Sequence, residues 1–277
     1  MINLAPHNKL GLFIASPLIA GSGAAGYGDA WPPGLTPEDF GLLITSPISA
    51  SPHKGKPQPR LAEIPAGFLL ETGGHNPGFR RVLASHVKTW RRLETPVVVS
   101  LAGGEPGDGA WMAAHLEEIE DVIAGIELPI PETVNLSEAS AIIATVRRVT
   151  PLPILARLPL TRAAYLARTC VVAGADALIV GAPPPAAWRT GGDWVEAPIS
   201  GPVAFPFTLR ALRQLQEMNL DAPIVAAGGV QSLDDALLCL DLGASAVQIR
   251  SLVWRDPAAA HRLAMNIRHF LPEKDSD

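Results

Sequence analysis

Short runs of apolar residues recur along the chain, and a loop and a helical pattern follow most of them. The run IVAA at 224–227 has no polar position to face water, which is typical of a strand buried on both faces of a parallel sheet. Similar runs predict eight strands, at residues 18–20, 42–46, 97–101, 125–128, 154–157, 177–180, 224–227 and 246–249. Alternating strands and helices predict a (β/α)8 TIM barrel, with a doubly wound sheet as the alternative. The similar phrases GADALIVGA and GASAVQIRS favour the barrel, whose units repeat.

Residues that favour helix N-termini separate most of the predicted strands. Thr36 precedes a proline and two acidic residues, and Ser232 precedes LDDALLCLDLG, in which acidic residues crowd the first turn. Further helix starts are predicted at Asp108, Ser137, Thr161 and Asp256-Pro257. The pattern is therefore α/β along the whole chain.

Three segments do not fit a minimal barrel. Residues 10–16 precede the first strand and predict an N-terminal hairpin that closes the barrel floor. Residues 47–78 form a Pro/Gly-rich insertion after the second strand, and residues 181–206 form a long connection after the sixth, which carries Trp188 and Trp194. Because the loops after barrel strands form the catalytic face, function is expected there. The tryptophans either cover a ligand or pack the loops onto the barrel.

Two adjacent glycines, Gly228 and Gly229, directly follow the strand IVAA. They allow a sharp turn and leave backbone N–H groups bare before the next predicted helix, an arrangement that can bind a phosphate. The eighth strand ends at Arg250 and Ser251, and barrel enzymes often hold phosphate between the loops after strands seven and eight. Arg250 is then predicted to contact the phosphate. The alternatives are an ordinary tight turn and a surface arginine paired with Asp256.

Composition and charge narrow the class of protein. The chain has 277 residues, 48% hydrophobic and 18% charged, which predicts one globular domain over residues 1–270 and a disordered tail at 271–277. The net charge of −5 argues against nucleic-acid binding, and no apolar stretch has the length of a membrane span. Cys170 and Cys239 lie in apolar helical patterns, which indicates reduced thiols and a cytoplasmic protein. Without HExxH, CxxC or a carboxylate cluster, we expect no metal site.

Five phrases, in order along the chain, carry a resemblance to a known family: SPLIAGSGAAGYG, GKPQPRLAE, GGHNPGF, ISGPVAFPFTLRAL and IVAAGGVQSLDDALLCLDLGASAVQI. The sequence resembles the dihydroorotate dehydrogenases, FMN-dependent barrels of pyrimidine biosynthesis, and more closely their soluble branch. The resemblance implies an FMN cofactor. The residues that match the family's phosphate-binding loops are Gly228, Gly229, Arg250 and Ser251. Those that match its flavin-lining segments are Gly21, Ser22, Gly23, Ser200 and Gly201.

The departures from the family pattern lie at the positions that match its flavin-contacting and substrate-binding residues. Thr45 stands where the family has a lysine that contacts flavin and substrate, and Arg157 stands where a second lysine supports negative charge on the flavin. The family's orotate-binding asparagines match Leu70, Ser100, Pro129 and Ala182. Because each unsatisfied polar group of a buried orotate costs about 1–3 kcal/mol, we expect a less polar native substrate.

The family's catalytic base, a cysteine or serine after strand four, has no counterpart in IELPIPETVN. Glu132 lies near the expected position and can act as the base in a dry site; the alternative is an exposed loop carboxylate. Glu127 is a second candidate, although a structural ion pair with Arg157 also explains it. His75 is either a ligand contact or a turn residue.

Three functions remain open from the sequence. The first is an FMN-dependent oxidoreductase with a small-molecule substrate, in which Arg157 and Glu132 are catalytic and Thr45 contacts the cofactor, and we expect it to form a homodimer. The second is a catalytically degenerate barrel that binds a phosphorylated ligand or a partner subunit. The third is an isomerase or aldolase acting on a phosphorylated metabolite, since a fold does not determine its function.

Overall fold

The computed structural model describes residues 1–103 and 107–270, so the predicted tail at 271–277 lies outside the described residues. The strands are β1 Ile2–Asn3, β2 Phe13–Ile14, β3 Leu18–Ala20, β4 Leu42–Ile44, β5 Leu61–Ile64, β6 Gly67–Leu70, β7 Val97–Ser100, β8 Gly125–Pro129, β9 Ile154–Pro159, β10 Ala177–Ala182, β11 Pro185–Thr190, β12 Asp193–Ser200, β13 Ile224–Ala227 and β14 Ala246–Ile249. The α-helices are α1 Phe79–Trp90, α2 Asp108–His115, α3 Leu136–Arg147, α4 Ala163–Val172, α5 Phe205–Gln216, α6 Leu233–Asp241, α7 Ser251–Arg255 and α8 Pro257–Ile267. Within the described residues, no helix combines the length and apolar character needed to cross a bilayer.

Eight parallel strands close into a barrel in the order β10-β13-β14-β3-β4-β7-β8-β9. They are the eight strands predicted from the apolar runs, so the (β/α)8 barrel is confirmed and the doubly wound sheet is excluded. At the N-terminus, β1 and β2 pair as an antiparallel hairpin. Ile14 of β2 and the adjacent Leu4 and Leu12 are buried in one cluster with barrel-strand residues, including Leu42, Ala177 and Ala246 at strand starts. The hairpin therefore closes the floor, as predicted, but it spans residues 2–14 rather than 10–16.

Three helix starts differ from the prediction. The segment after Thr36 forms only the 3₁₀ helix Pro37–Asp39, so a single turn follows the first barrel strand. Helix α3 begins one residue before Ser137, because the Asn135 side chain accepts the N–H of Glu138 and caps the helix. Helix α4 begins at Ala163 rather than at Thr161. The starts of α2, α6 and α8 are as predicted.

The two long connections, which the sequence interpretation treated as loops, pair with each other. Strands β5 and β6 come from the insertion after β4, and β11 and β12 come from the connection after β10. Together they form a four-stranded antiparallel sheet in the order β11-β12-β6-β5, here named the rim sheet. One face buries the apolar side chains Ala62, Leu69, Val195, Ala197 and Ile199. Trp188 and Trp194 lie near the β11–β12 turn and are 43% and 66% exposed.

The side chains that point into the barrel form two sections, because successive residues of a strand face opposite sides of a sheet. The apolar section, fully buried, consists of Ile19, Ile44, Val98, Leu155, Ile179 and Val225. The polar section lies nearer the carboxyl ends of the strands and consists of Ser100, Glu127, Arg157 and Gln248. The polar groups inside the barrel thus lie at the end where barrel enzymes bind their ligands.

Candidate functional site

A cavity lies at the carboxyl ends of the barrel strands, with the rim sheet as one wall. It encloses about 250 Å³ and belongs to a wider depression of about 1040 Å³ that includes space open to solvent. Eight predicted site residues line it: Ser22, Arg157, Ser200, Gly201, Gly228, Gly229, Arg250 and Ser251. The loops after β13 and β14, predicted to share a phosphate, therefore meet in one cavity.

The loop after β13 needs glycine at both positions for its backbone. Gly228 and Gly229 have φ angles of 106° and 82°, which residues with a side chain rarely adopt. A Cβ on Gly229 would also lie 2.3 Å from the backbone N of Phe205, at the start of α5. The sequence interpretation explained these glycines by the turn and by ligand access. The structure adds a third reason, the close packing of α5 on this loop.

The same loop carries backbone donors that have no partner. Among the described residues, the N–H groups of Gly228, Gly229 and Val230 donate to no protein acceptor, and all three residues line the cavity. The N-terminus of α6, by contrast, is capped from within the chain. Asp235 accepts the N–H of Ser232 at 3.1 Å, and Ser232 Oγ accepts the N–H of Asp235 at 3.1 Å. The free donors therefore belong to the glycine loop rather than to the helix end.

Arg250 extends into the cavity from the end of β14. Its Nη2 donates to Ser200 Oγ at 3.3 Å, and its guanidinium carbon lies 5.5 Å from the ring centre of Trp254. Asp256, the alternative partner considered from the sequence, instead accepts the N–H of Ala259 and caps α8. Arg250 is therefore a cavity residue rather than a surface arginine.

Glu127, Arg157 and Arg250 form a charge cluster beside the cavity. Glu127 is fully buried, and its Oε1 lies 3.1 Å from Arg157 Nε, which is the structural ion pair considered from the sequence. Burial first, and then the positive charge of Arg157, lower the pKa of Arg250 to about 10, while Glu127 opposes this shift. The cluster contains two guanidinium groups and one carboxylate. A bound anion would balance its remaining positive charge.

Glu127 Oε1 and Oε2 and Arg157 Nε form no hydrogen bond within the described residues despite their ion pair, and the other two residues of the polar section also have buried atoms without a partner. Ser100 Oγ and Gln248 Oε1 are enclosed, and neither forms a hydrogen bond within the part of the chain that the structure describes. Gln248 lines the cavity, and the sequence interpretation did not single it out. It is the one polar residue in AVQI, the sequence of β14. A polar residue inside an otherwise apolar buried strand is the signal that would have identified it.

Four predicted site residues, Glu132, Thr45, Gly21 and Gly23, do not line the cavity. Glu132 Oε1 accepts the hydroxyl of Thr161 at 2.6 Å, so its carboxylate is already engaged. Thr45 is fully buried, and its Oγ1 accepts the N–H of Ser100 at 3.1 Å. Thr45 therefore links β4 to β7, and its carbonyl accepts the hydroxyl of Ser22, which does line the cavity.

Gly21 and Gly23, the predicted site glycines that follow β3, lie beside the site. A Cβ on Gly21 would lie 2.5 Å from Gln248 Nε2 and 2.7 Å from its Cγ, so the glutamine side chain lies directly against this backbone. Gly23 has a φ of 80°, and a Cβ there would come within 3.5 Å of Ser46 Oγ. Neither glycine is among the residues that line the cavity.

Of the four positions that match orotate-binding asparagines, two line the cavity and two do not. Leu70 and Ala182 line the cavity and present apolar groups to it. Ser100 lies in the polar section, and Pro129 ends β8. His75 is exposed on the loop after β6. Trp188 and Trp194 lie outside the cavity lining.

Comparisons with known proteins agree with this arrangement. The family model "Dihydroorotate dehydrogenase" matches residues 6–151 and 168–271. The "Dihydroorotate dehydrogenase B (NAD(+)), catalytic subunit" of Pelobacter propionicus is 31% identical over 291 residues, covering 96% of this chain and 93% of that protein. Proteins of the same name from Geotalea daltonii and Geobacter metallireducens are 32% and 30% identical, covering 94% of this chain and 91% of each relative. With its fold, its cavity and these matches, the chain belongs to the dihydroorotate dehydrogenase family.

Proposed function

We propose that this chain is an FMN-dependent oxidoreductase of the dihydroorotate dehydrogenase type. One observation carries the proposal: the unpaired N–H groups of Gly228, Gly229 and Val230 lie in the same cavity as Arg250. Backbone donors of a glycine loop and a guanidinium are the groups that bind a phosphate dianion. The excess positive charge of the cluster around Arg157 supports the same assignment.

The enclosed cavity is small for a whole cofactor. Its volume of about 250 Å³ is below the roughly 300–1,000 Å³ of common ligand pockets, and the cavity opens to solvent. We therefore propose that it holds only part of FMN.

We assign a role to each group of cavity residues. The glycine loop and Arg250 bind the phosphate, with Ser251 beside them. Ser22, Ser200 and Gly201 line the remainder of the cofactor site. Arg157, held by the Glu127 carboxylate, places a positive charge in the cavity that would stabilise negative charge on a reduced ring. FMN supplies the hydride-accepting chemistry when bound.

The substrate that we propose is a small dihydro compound less polar than dihydroorotate. The relatives are named as dihydroorotate dehydrogenases, which supports oxidation of a carbon–carbon single bond to a double bond. The apolar side chains of Leu70 and Ala182 line the cavity, at positions that the resemblance matches to orotate-binding asparagines. A polar ring edge buried against them would lose its hydrogen bonds to water without replacement.

Glu132 is the proton acceptor that we propose. Its carboxylate is bound to Thr161, so it must leave that hydroxyl and turn toward the cavity to act. Glu132→Gln should then prevent reduction of the flavin by substrate while leaving FMN bound. Unchanged reduction kinetics in this variant would exclude Glu132 as the base.

We also propose that the chain assembles with other subunits. The relatives are named as catalytic subunits, a term that implies at least one further kind of subunit in their complexes. A homodimer of this chain is the simplest core of such an assembly. Light scattering on the purified chain should give the mass of two copies, and a monomer mass would contradict the homodimer.

Anaerobic reduction of the purified protein tests the proposed activity. We expect flavin absorption bands that are bleached by less polar dihydro compounds faster than by dihydroorotate. Equal or faster bleaching by dihydroorotate would refute the substrate proposal and leave the cofactor intact. Failure to bind FMN at all would refute the oxidoreductase and favour the catalytically degenerate barrel.

A further inference from the structure

The rim sheet has a solvent-facing side that begins at the cavity. Leu69 and Ile199 belong to the buried face of this sheet. Because successive residues of a strand face opposite sides of a sheet, Leu70 and Pro198 lie on the other face, here named the outer face. Both of these residues line the cavity, and Pro198 is also exposed to solvent. The outer face of the rim sheet is therefore continuous with the candidate site.

The register of the four strands aligns four apolar side chains across the outer face. Leu61 on β5 pairs with Leu70 on β6, and Pro185 on β11 pairs with Pro198 on β12. The antiparallel register of β12 against β6 places Pro198 opposite Leu70. These four residues, here named the apolar row, span roughly 14 Å, because neighbouring strands lie about 4.8 Å apart. Leu61 is 52% exposed, so the row extends the apolar wall of the cavity to solvent.

Carboxylates border the apolar row on both sides. Glu63 lies two residues along β5 from Leu61, and Glu196 lies two residues along β12 from Pro198, so both side chains share the outer face. Both residues are exposed, and neither forms a salt bridge within the part of the chain that the structure describes. Negative charges on either side oppose an anionic group on the row. The row is therefore suited to an uncharged apolar group.

The size of the apolar row indicates a small molecule rather than a protein. A stable protein interface takes about 20–30 residues from each partner, whereas the row offers four apolar residues between two carboxylates. A ligand in the cavity already contacts Leu70 and Pro198, so an apolar substituent on that ligand reaches the rest of the row without a second binding event. Each methylene group that such a substituent buries fully strengthens binding about fourfold.

We propose that the apolar row binds an uncharged apolar substituent of the substrate. The inference rests on the proposed function, because that function places a dihydro ring at the cavity. It goes beyond that function by naming the substrate class, a dihydro ring that carries an alkyl or aryl extension. The extension lies on the outer face of the rim sheet, between Glu63 and Glu196.

Calorimetric titration with three probes tests the inference. The first probe is 5,6-dihydrouracil, which is the ring of dihydroorotate without its carboxylate. The second is 6-hexyl-5,6-dihydrouracil, and the third is the same compound with a carboxylate at the end of the chain. The hexyl chain should strengthen binding at least about tenfold, because the row buries part of its six carbons. The terminal carboxylate should cancel most of that gain.

The variant Leu61→Thr separates the row from the cavity. Leu61 is exposed and is not among the residues that line the cavity, and threonine favours strands, so the variant should fold. It should weaken the hexyl compound about threefold and leave the affinity for 5,6-dihydrouracil unchanged. Leu10→Thr, in the floor hairpin at a position that is 53% exposed, is the matched control and should retain the full gain. An unchanged hexyl affinity in Leu61→Thr overturns the inference.

The inference and the proposed function fail in different ways. If Leu61→Thr weakens the hexyl compound but no dihydro compound reduces the flavin, the row stands as a ligand site and the oxidoreductase fails. Flavin reduction without any gain from the hexyl chain refutes the row and leaves the oxidoreductase standing. If Leu61→Thr instead splits a dimer in light scattering and leaves hexyl affinity unchanged, a second copy of the chain covers the row. That outcome overturns the inference, as does the absence of binding for all three probes.

Discussion

The apolar and polar sections of the barrel interior are built on the same strands but stabilised in different ways. In the apolar section, Leu155 and Ile179 are fully buried among other aliphatic side chains. Two residues further along β9, Arg157 is held by an ion pair with Glu127. The first section is complete within the chain. Within the described residues, the second leaves Ser100 Oγ, Gln248 Oε1 and both carboxylate oxygens of Glu127 without a hydrogen-bond partner.

The largest expected effect comes from breaking the ion pair in the polar section. Arg157→Met leaves the Glu127 carboxylate buried without its partner, so the free energy of unfolding should fall by about 3–5 kcal/mol in urea titrations. The double variant Glu127→Gln/Arg157→Met removes both charges and should lose clearly less. Equal losses in the single and the double variant would show that the pair does not hold this section together.

The next effect tests the apolar section. Leu155→Ala removes a fully buried side chain and leaves a cavity, so the free energy of unfolding should fall by about 2–5 kcal/mol. Val172→Ala on α4, where the side chain is 82% exposed, is the control and should change it by less than about 0.5 kcal/mol. FMN affinity should not change in Leu155→Ala at temperatures where the variant stays folded. A selective loss of affinity would mean that the two sections are coupled.

Crowding between Gly21 and Gln248 predicts a smaller effect. Gly21→Ala forces the glutamine side chain out of its position, which should cost about 1–3 kcal/mol of unfolding free energy. In a Gln248→Ala background the same substitution should cost much less, because the crowded atoms are gone. Denaturant unfolding of the four proteins gives the coupling energy. A coupling near zero would contradict the contact between these residues.

The smallest effect is expected at Ser100. Its Oγ is buried and has no hydrogen-bond partner among residues 1–103 and 107–270, so Ser100→Ala should leave the unfolding free energy unchanged or raise it by up to about 1 kcal/mol. The N–H of Ser100 bonds to Thr45 Oγ1 through the backbone and is unaffected by this change. A clear loss of stability would show that the hydroxyl has a partner in the ligand-free protein.

The sequence predicted the barrel well because each barrel strand is a continuous apolar run, a local signal that does not depend on distant contacts. The rim sheet was missed for the opposite reason. Its strands β11 and β12 contain prolines and polar residues, and β12 pairs with β6 from an insertion far away in the chain. Such pairings depend on long-range contacts, which a pattern within one segment does not contain.

The candidate site was predicted in part for a similar reason. Gly228, Gly229 and Arg250 form recognisable local patterns, and the structure brings them into one cavity. The engaged carboxylate of Glu132 depends on which partner the fold supplies, because Thr161 follows a different barrel strand. The unpaired Oε1 of Gln248 likewise emerges only when neighbouring strands enclose it.

The central claim is that the glycine loop and Arg250 hold a phosphate of a flavin cofactor. Calorimetric titration of the ligand-free protein with FMN and with riboflavin tests it most directly. The account predicts one FMN per chain, bound at least about tenfold more tightly than riboflavin, because only FMN reaches the loop donors and the guanidinium. Equal affinities for the two flavins, or no binding of either, would contradict it.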